Sequence, residues 1–192
     1  SKVSAEIITK SYFDSYFKKN NISLFTTRAG NVIGGGDWSS NRLIPDIIRS
    51  YNLSKQIIVR NPDYIRPWQH VLDVLNGYLI LIQFSFKKTI GGGWNLGPAI
   101  NDEKSVIDII KYYKNIIPLN YKILDKKNIK NKLYESKYLR LNSSKIRNLI
   151  GWKNKLNIDQ SLNWTLDWYL NKKNSSFEKN ISQIRKFIST NK

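Results

Sequence analysis

The chain has 192 residues, 41% of them hydrophobic, with 32 Lys and Arg, one His, no Cys and a formal net charge of +18. This length and hydrophobicity suit one folded domain with a sizeable core, and the missing Cys and single His exclude a disulfide framework, a thiolate site and a structural zinc, so no metal is expected. No apolar run approaches the roughly 20 residues of a membrane-spanning helix, and Ser1–Glu6 carry no apolar leader core, so the expected compartment is the cytoplasm, with no membrane partner.

Residues Val3 to Lys19 read as a helix, with Ile8, Tyr12 and Tyr16 at i, i+4 and i+8 and Ile7 and Phe13 beside them. Its aromatic side is wide, which points to a partner surface. Ile22 to Ala29 reads as a buried strand, and Gly30 to Asn41 as a long loop. Leu43 to Tyr51 is a predicted helix that tolerates Pro45 in its first turn. A short strand over Gln56–Val59, a loop over Asn61–Gln69 and an apolar helix over Val71–Phe86 follow. Gly91-Gly92-Gly93 leads into a strand and turn at Trp94–Pro98. Helices are predicted over Ser105–Asn115, Ser143–Ile150, Ile158–Tyr169 and Ser175–Thr190, with short strands at Tyr121–Leu124 and Tyr138–Leu141. Asn142 is expected to cap the Ser143 helix and Gly151 to stop it. This alternation argues for an α/β fold. With about two strands reading as fully buried, the rest of a sheet is expected to lie outside these residues.

The positive charge admits nucleic-acid binding. The basic residues, however, are spread along the whole chain rather than gathered into one stripe, amid the Lys, Asn and Ile that an AT-rich coding bias produces. No nucleic-acid partner is expected, although a basic nucleic-acid-binding module stands as an alternative. A basic surface also attracts a phosphate-bearing substrate.

Gly34-Gly35-Gly36 is not a phosphate loop: no G-x-x-x-x-G-K-[ST] is present and no helix opens from it. Gly91-Gly92-Gly93 precedes a strand, the wrong order for a dinucleotide fingerprint. Both runs read as turns permitting positive φ. Arg42 and Arg66 stand at loop-to-helix junctions, where a guanidinium fork can meet a diphosphate or simply pair at the surface. Asn31 directly follows a buried strand, and the carboxyl ends of strands are where open α/β sheets bind ligands. His70 can cap or pack against the following helix. Trp38 and Trp68 suit either a core or the wall of a base or sugar site. No nucleophile–His pair and no carboxylate pair at useful spacing are present, so any enzyme reading borrows residues from outside this chain.

Arg28-Ala29-Gly30-Asn31-Val32-Ile33-Gly34-Gly35-Gly36-Asp37-Trp38 with Arg42-Leu43-Ile44-Pro45, then Arg66-Pro67-Trp68-Gln69-His70-Val71, resembles the extended short-chain dehydrogenase/reductase family. Within it, the likeness is to the subgroup that dehydrates CDP-glucose. Trp94–Pro98, Leu141–Lys145 and Leu149–Trp152 fit the same pattern. Ser1-Lys2-Val3-Ser4-Ala5-Glu6 matches the end of the family's Tyr-x-x-x-Lys motif, which makes Lys2 the motif lysine and puts the Tyr three positions before residue 1. The resemblance implies the C-terminal part of a Rossmann-type enzyme with a small substrate-binding lobe. It divides the chain into residues 1–30 (last Rossmann helix and strand), 31–170 (mainly nucleotide-sugar lobe, with a returning Rossmann strand near 93–97) and 171–192 (a helical tail).

It also implies an NAD-dependent CDP-glucose 4,6-dehydratase activity, a hydro-lyase step in deoxysugar and surface polysaccharide synthesis, and a homodimer; the 192 residues alone are expected to be inactive. Another nucleotide-sugar dehydratase, or an epimerase, of the same family is the alternative. By resemblance Lys2 is catalytic, Lys2, Ala29 and Asn31 hold NAD, and Asn31, Arg42, Leu43, Arg66 and Glu135 hold the nucleotide sugar. Tyr134 stands where related enzymes often carry His.

Overall fold

The computed structural model describes residues 2–124 and 136–190. Helix α1 covers Lys2–Tyr12 and continues through a π turn at Phe13–Phe17 and a 3₁₀ turn at Lys18–Asn20. Asn21 stops it in the left-handed region at φ 56, a conformation Asn tolerates because its short polar side chain bonds locally. Strand β1 (Leu24–Ala29) runs back along the helix and pairs in parallel with β6 (Gly91–Leu96). At Gly30 the chain leaves that pair and enters β2 (Asn31–Ile33), which is parallel to β5 (Trp68–His70). The predicted loops over residues 30–41 and 61–69 therefore each contain strand.

Helix α2 (Leu43–Asn52) leads to β3 (Ile57–Val59), which is parallel to β8 (Tyr121–Ile123). β4 (Ile65–Arg66) is antiparallel to β7 (Lys104–Ser105). α3 (Val71–Ser85) follows β5 without a loop, and α4 (Val106–Lys114), α5 (Ser144–Ile150), α6 (Ile158–Leu170) and α7 (Ser176–Ser189) complete the chain. Helices α4, α6 and α7 each open on a reciprocal capping box: Ser105 with Asp108, Asn157 with Gln160, and Ser175 with Glu178. Each box satisfies two of the backbone donors that a helix start leaves open.

The largest apolar cluster lies between α2, α4, α6 and β3 and includes Ile47, Ile109, Ile110 and Leu162. Each such aliphatic side chain contributes about 1.5–3 kcal/mol by leaving water. Tyr113, fully buried, donates its hydroxyl to the Leu162 carbonyl at 3.1 Å. A second cluster joins α3, β6 and α5 through Leu81, Trp94, Leu96, Ile146 and Trp152.

Three further sequence expectations change. Gly91-Gly92-Gly93 lies inside β6 rather than in a turn, because the strand must pass close to the Phe13 ring: a Cβ on Gly91 would stand 2.3 Å from it. Tyr138–Leu141 contributes a single parallel bridge, Ile65 to Tyr138, in place of a strand. Ser143, not Asn142, is the N-cap of α5; the Asn142 side chain instead accepts from the Ser144 N–H at 3.0 Å in a local turn. Gly151 does end that helix, at φ 75, where an L side chain is strained.

Candidate functional site

A cleft of about 790 Å³ opens beside the β2–β5 pair. Its walls come from the Gly30–Gly35 stretch, the first turn of α2, the end of β3, Tyr64 and Arg66 around β4, and Trp68 of β5. Asn31, Arg42, Leu43 and Arg66, which lie up to 35 positions apart in the chain, all line it. The local reasons differ. Asn31 starts β2 with its N–H donating to the Pro67 carbonyl at 2.9 Å and lines the cleft. Arg42 is the extended residue before α2, at φ −111 and ψ 135. Its Nη1 donates to Asp37 at 2.9 Å. Burial pushes the Asp37 carboxyl up, but the Ser39 N–H and the Arg42 guanidinium outweigh it and hold it below the usual carboxylate range.

Arg66 is held more deeply. It is on strand β4 and is 6% exposed. Its Nη1 donates to the Ile65 carbonyl at 2.8 Å and to the Lys137 carbonyl at 3.2 Å, and its guanidinium lies over the Tyr64 ring at 5.0 Å. A guanidinium fixed this way has little freedom left to lose on binding.

The glycine run has a packing role. Trp168 of α6 lies against Gly35, where an added Cβ would fall 2.0 Å from its Cγ. The neighbouring Tyr169 hydroxyl donates to the Asp37 carbonyl at 2.6 Å. Burial, together with the nearby Asp37 carboxylate, pushes this phenol up to about 12, so it is a hydrogen-bond donor at neutral pH. Helix α6 thereby seats the loop that carries Asp37, and Asp37 holds Arg42.

Trp68 is both core and cleft wall: it is buried, and its Nε1 donates to the Lys104 carbonyl at 2.9 Å. Trp38 is exposed and packs edge-on to Tyr169 at 5.1 Å. His70 caps α3, accepting from the Leu72 N–H at 3.3 Å, and burial drives its imidazole down to about 4. It is therefore neutral and structural.

Lys2 and Ala29 are not in the cleft wall. α1 runs antiparallel to β1, and Glu6 of α1 forms a two-pronged ion pair with Arg28. The hydrogen bond from Arg28 holds the Glu6 carboxyl below its usual range. Lys2 lies one turn earlier on the same helix, and Ala29 is the last residue of β1. The carboxyl end of a strand, where Ala29 stands, is the end at which open parallel sheets take cofactors. Glu135 and Tyr134 lie outside the described residues. The sequence reading missed Arg60, Asn41 and Tyr64, which also line the cleft. Arg60 carried a signal, a second arginine six positions before Arg66 and just after a strand.

Residues 1–97 match the model of the NAD dependent epimerase/dehydratase family. The chain belongs to that family. It is 37% identical over 177 residues to the CDP-glucose 4,6-dehydratase of Salmonella typhimurium, a match covering 88% of this chain and 48% of that protein. The chain thus spans about half the length of the curated relative it matches. Its fold superposes on dTDP-glucose 4,6-dehydratase from Bacillus anthracis, solved with NAD, at a TM-score of 0.72 and 19% identity, over 88% of this chain and 50% of that one. UDP-glucuronic acid 4-epimerase from Bacillus cereus, solved with UDP-glucuronic acid and NAD, gives the same score, identity and coverage. These two likenesses establish a Rossmann-type fold.

Proposed function

We propose that this chain contributes the nucleotide-sugar site of an NAD-dependent dehydratase that converts CDP-glucose to CDP-4-keto-6-deoxyglucose, a step toward deoxysugars of surface polysaccharides. The observation that carries this reading is the convergence of Asn31, Arg42 and Arg66 on one cleft beside parallel strands. The 37% identity to a CDP-glucose 4,6-dehydratase supports the choice of sugar nucleotide. NAD, when bound, accepts a hydride from the sugar and returns it. Arg42 and Arg66 bind the diphosphate, Arg66 as a fixed fork and Arg42 as a cation steered by Asp37. Asn31 bonds at the strand end where sugar and cofactor meet. Lys2 bonds the nicotinamide ribose, and its charge lowers the pKa of a neighbouring tyrosine that takes the sugar hydroxyl proton.

We also propose a homodimer formed through α1, which leaves Val3, Ile7, Ile8, Tyr12 and Tyr16 exposed. Singly exposed apolar residues are ordinary, but five on one helical segment mark a covered face.

The test is turnover by the full-length protein supplied with NAD and CDP-glucose, with the products resolved by mass spectrometry. Loss of water with formation of a 4-keto sugar is expected. Interconversion to CDP-galactose with no loss of mass would instead identify an epimerase, and no reaction would remove the proposal.

A further inference from the structure

Three cleft or near-cleft arginines have their charge or their geometry accounted for. Arg42 pairs with Asp37, and Arg49 pairs with Asp46. Arg66 is fixed by backbone carbonyls and the Tyr64 ring. Arg60 differs. It follows β3, is exposed, and lines the cleft. Its Nη2 donates to the Asn41 side-chain carbonyl at 2.7 Å. Asn41 is itself held in the left-handed region at φ 61, one residue before Arg42, so a strained turn aims a neutral amide at this guanidinium. Among the described residues no carboxylate pairs with Arg60, and its other N–H groups have no acceptor. The result is an oriented guanidinium with its charge intact and donors to spare.

The cleft beside it is mixed, with apolar residues among the polar ones. Leu43, Ile58 and Val59 also line the cleft, and Ile58 is 50% exposed. An apolar wall suits the face of a flat ring, and a guanidinium at its border suits the polar edge of that ring. Under the reading above, Arg42 and Arg66 already meet the diphosphate, which leaves the base as the part of the ligand without a partner.

We propose that Arg60, resting on that nucleotide-sugar reading, selects the base by donating two hydrogen bonds to a pyrimidine edge with adjacent acceptors, the O2 and unprotonated N3 of cytosine. Uracil and thymine carry a hydrogen on N3. There a guanidinium N–H would face another donor, and one bond is exchanged for a repulsion. Sites that hydrogen-bond a ligand group discriminate well against analogues that lack it, because the site's own donor is left unpaired.

The experiment is calorimetry on the full-length protein with CDP and with UDP, for wild type, Arg60→Ala and Arg60→Lys. Arg60 is exposed, so both variants are expected to fold. Wild type should prefer CDP. Arg60→Ala should weaken CDP about tenfold while changing UDP by less than about twofold, the loss of a charge-assisted bond to one base alone. Arg60→Lys should keep the charge but lose the preference, since an ammonium lacks the paired fork. Equal weakening of CDP and UDP would make Arg60 a general cation and overturn the proposal, as would an unchanged CDP affinity. Turnover of CDP-glucose, run in parallel on wild type, separates the two readings. Turnover with a base preference that ignores Arg60 removes this inference alone. A wild-type protein that neither binds nucleoside diphosphates nor turns over CDP-glucose removes both.

Discussion

Arg66→Ala divides cleanly into a stability effect and a binding effect. The side chain is 6% exposed, and truncation removes a donor from the Ile65 and Lys137 carbonyls. Neither carbonyl is orphaned. The Leu139 N–H still reaches Ile65 O at 3.2 Å, and the Ile65 N–H still reaches Lys137 O at 3.0 Å. The stability cost should therefore lie near ~1 kcal/mol rather than the ~3 kcal/mol of an unpaired buried acceptor. Binding should suffer more. A charge-assisted hydrogen bond to phosphate contributes about 1.5–3 kcal/mol, which is about ten- to a hundredfold in affinity. Urea unfolding of the full-length protein measures the first effect and calorimetry with CDP the second. NAD affinity should change little, because Lys2 and Ala29 lie outside the cleft wall. Arg66→Lys should restore part of the CDP affinity, since it returns the charge without the fork. A folded Arg66→Ala protein with unchanged CDP affinity would refute the diphosphate assignment, because it would leave Arg66 as a purely structural side chain.

Gly35→Ala should destabilise the protein by about 1–3 kcal/mol in urea, since the new methyl meets an indole that cannot retreat: Trp168 is 7% exposed and its Nε1 donates to Asn180 at 2.8 Å. A variant as stable as wild type would show that α6 does not seat the loop. His70 is neutral in the fold down to about pH 4 but takes a proton in the unfolded chain below its usual 6.5, so stability should fall as pH drops from about 6.5 to 4, by on the order of 3 kcal/mol. His70→Asn keeps an acceptor at the α3 N-cap and should flatten that slope in pH-dependent denaturation; an unchanged slope would locate the titrating group elsewhere. Light scattering at micromolar concentration should give a dimer mass for the full-length protein, and Ile8→Lys on α1 should lower it to a monomer; a monomeric wild type would count against the α1 interface.

The sequence by itself determined the local elements and the chemistry of the strongest motifs. Helices α2, α3, α4, α6 and α7 were legible to within two residues, because apolar spacing and terminal Gly, Pro and Ser act within one turn of chain. Asn31, Arg42 and Arg66 were legible as binding candidates for the same reason, since a residue type at the end of an element carries its chemistry with it, whereas Leu43 was named only through the family resemblance. Tertiary structure alone decided the rest. Strands β2, β4, β5 and β7 are two or three residues long, too short for any periodicity, and exist because a distant segment supplies their hydrogen-bond partners. The Gly34-Gly35-Gly36 run does form a turn, with Gly36 at φ 84, but its packing role exists only because α6, more than 120 positions later, lays Trp168 on Gly35. Arg60 falls between the predicted strand and loop with no role assigned, and only the fold brings Asn41 to its guanidinium from 19 positions away. A side chain's partners are set by which surfaces the whole fold brings together. That information is carried by packing between segments, and no window along the chain contains it.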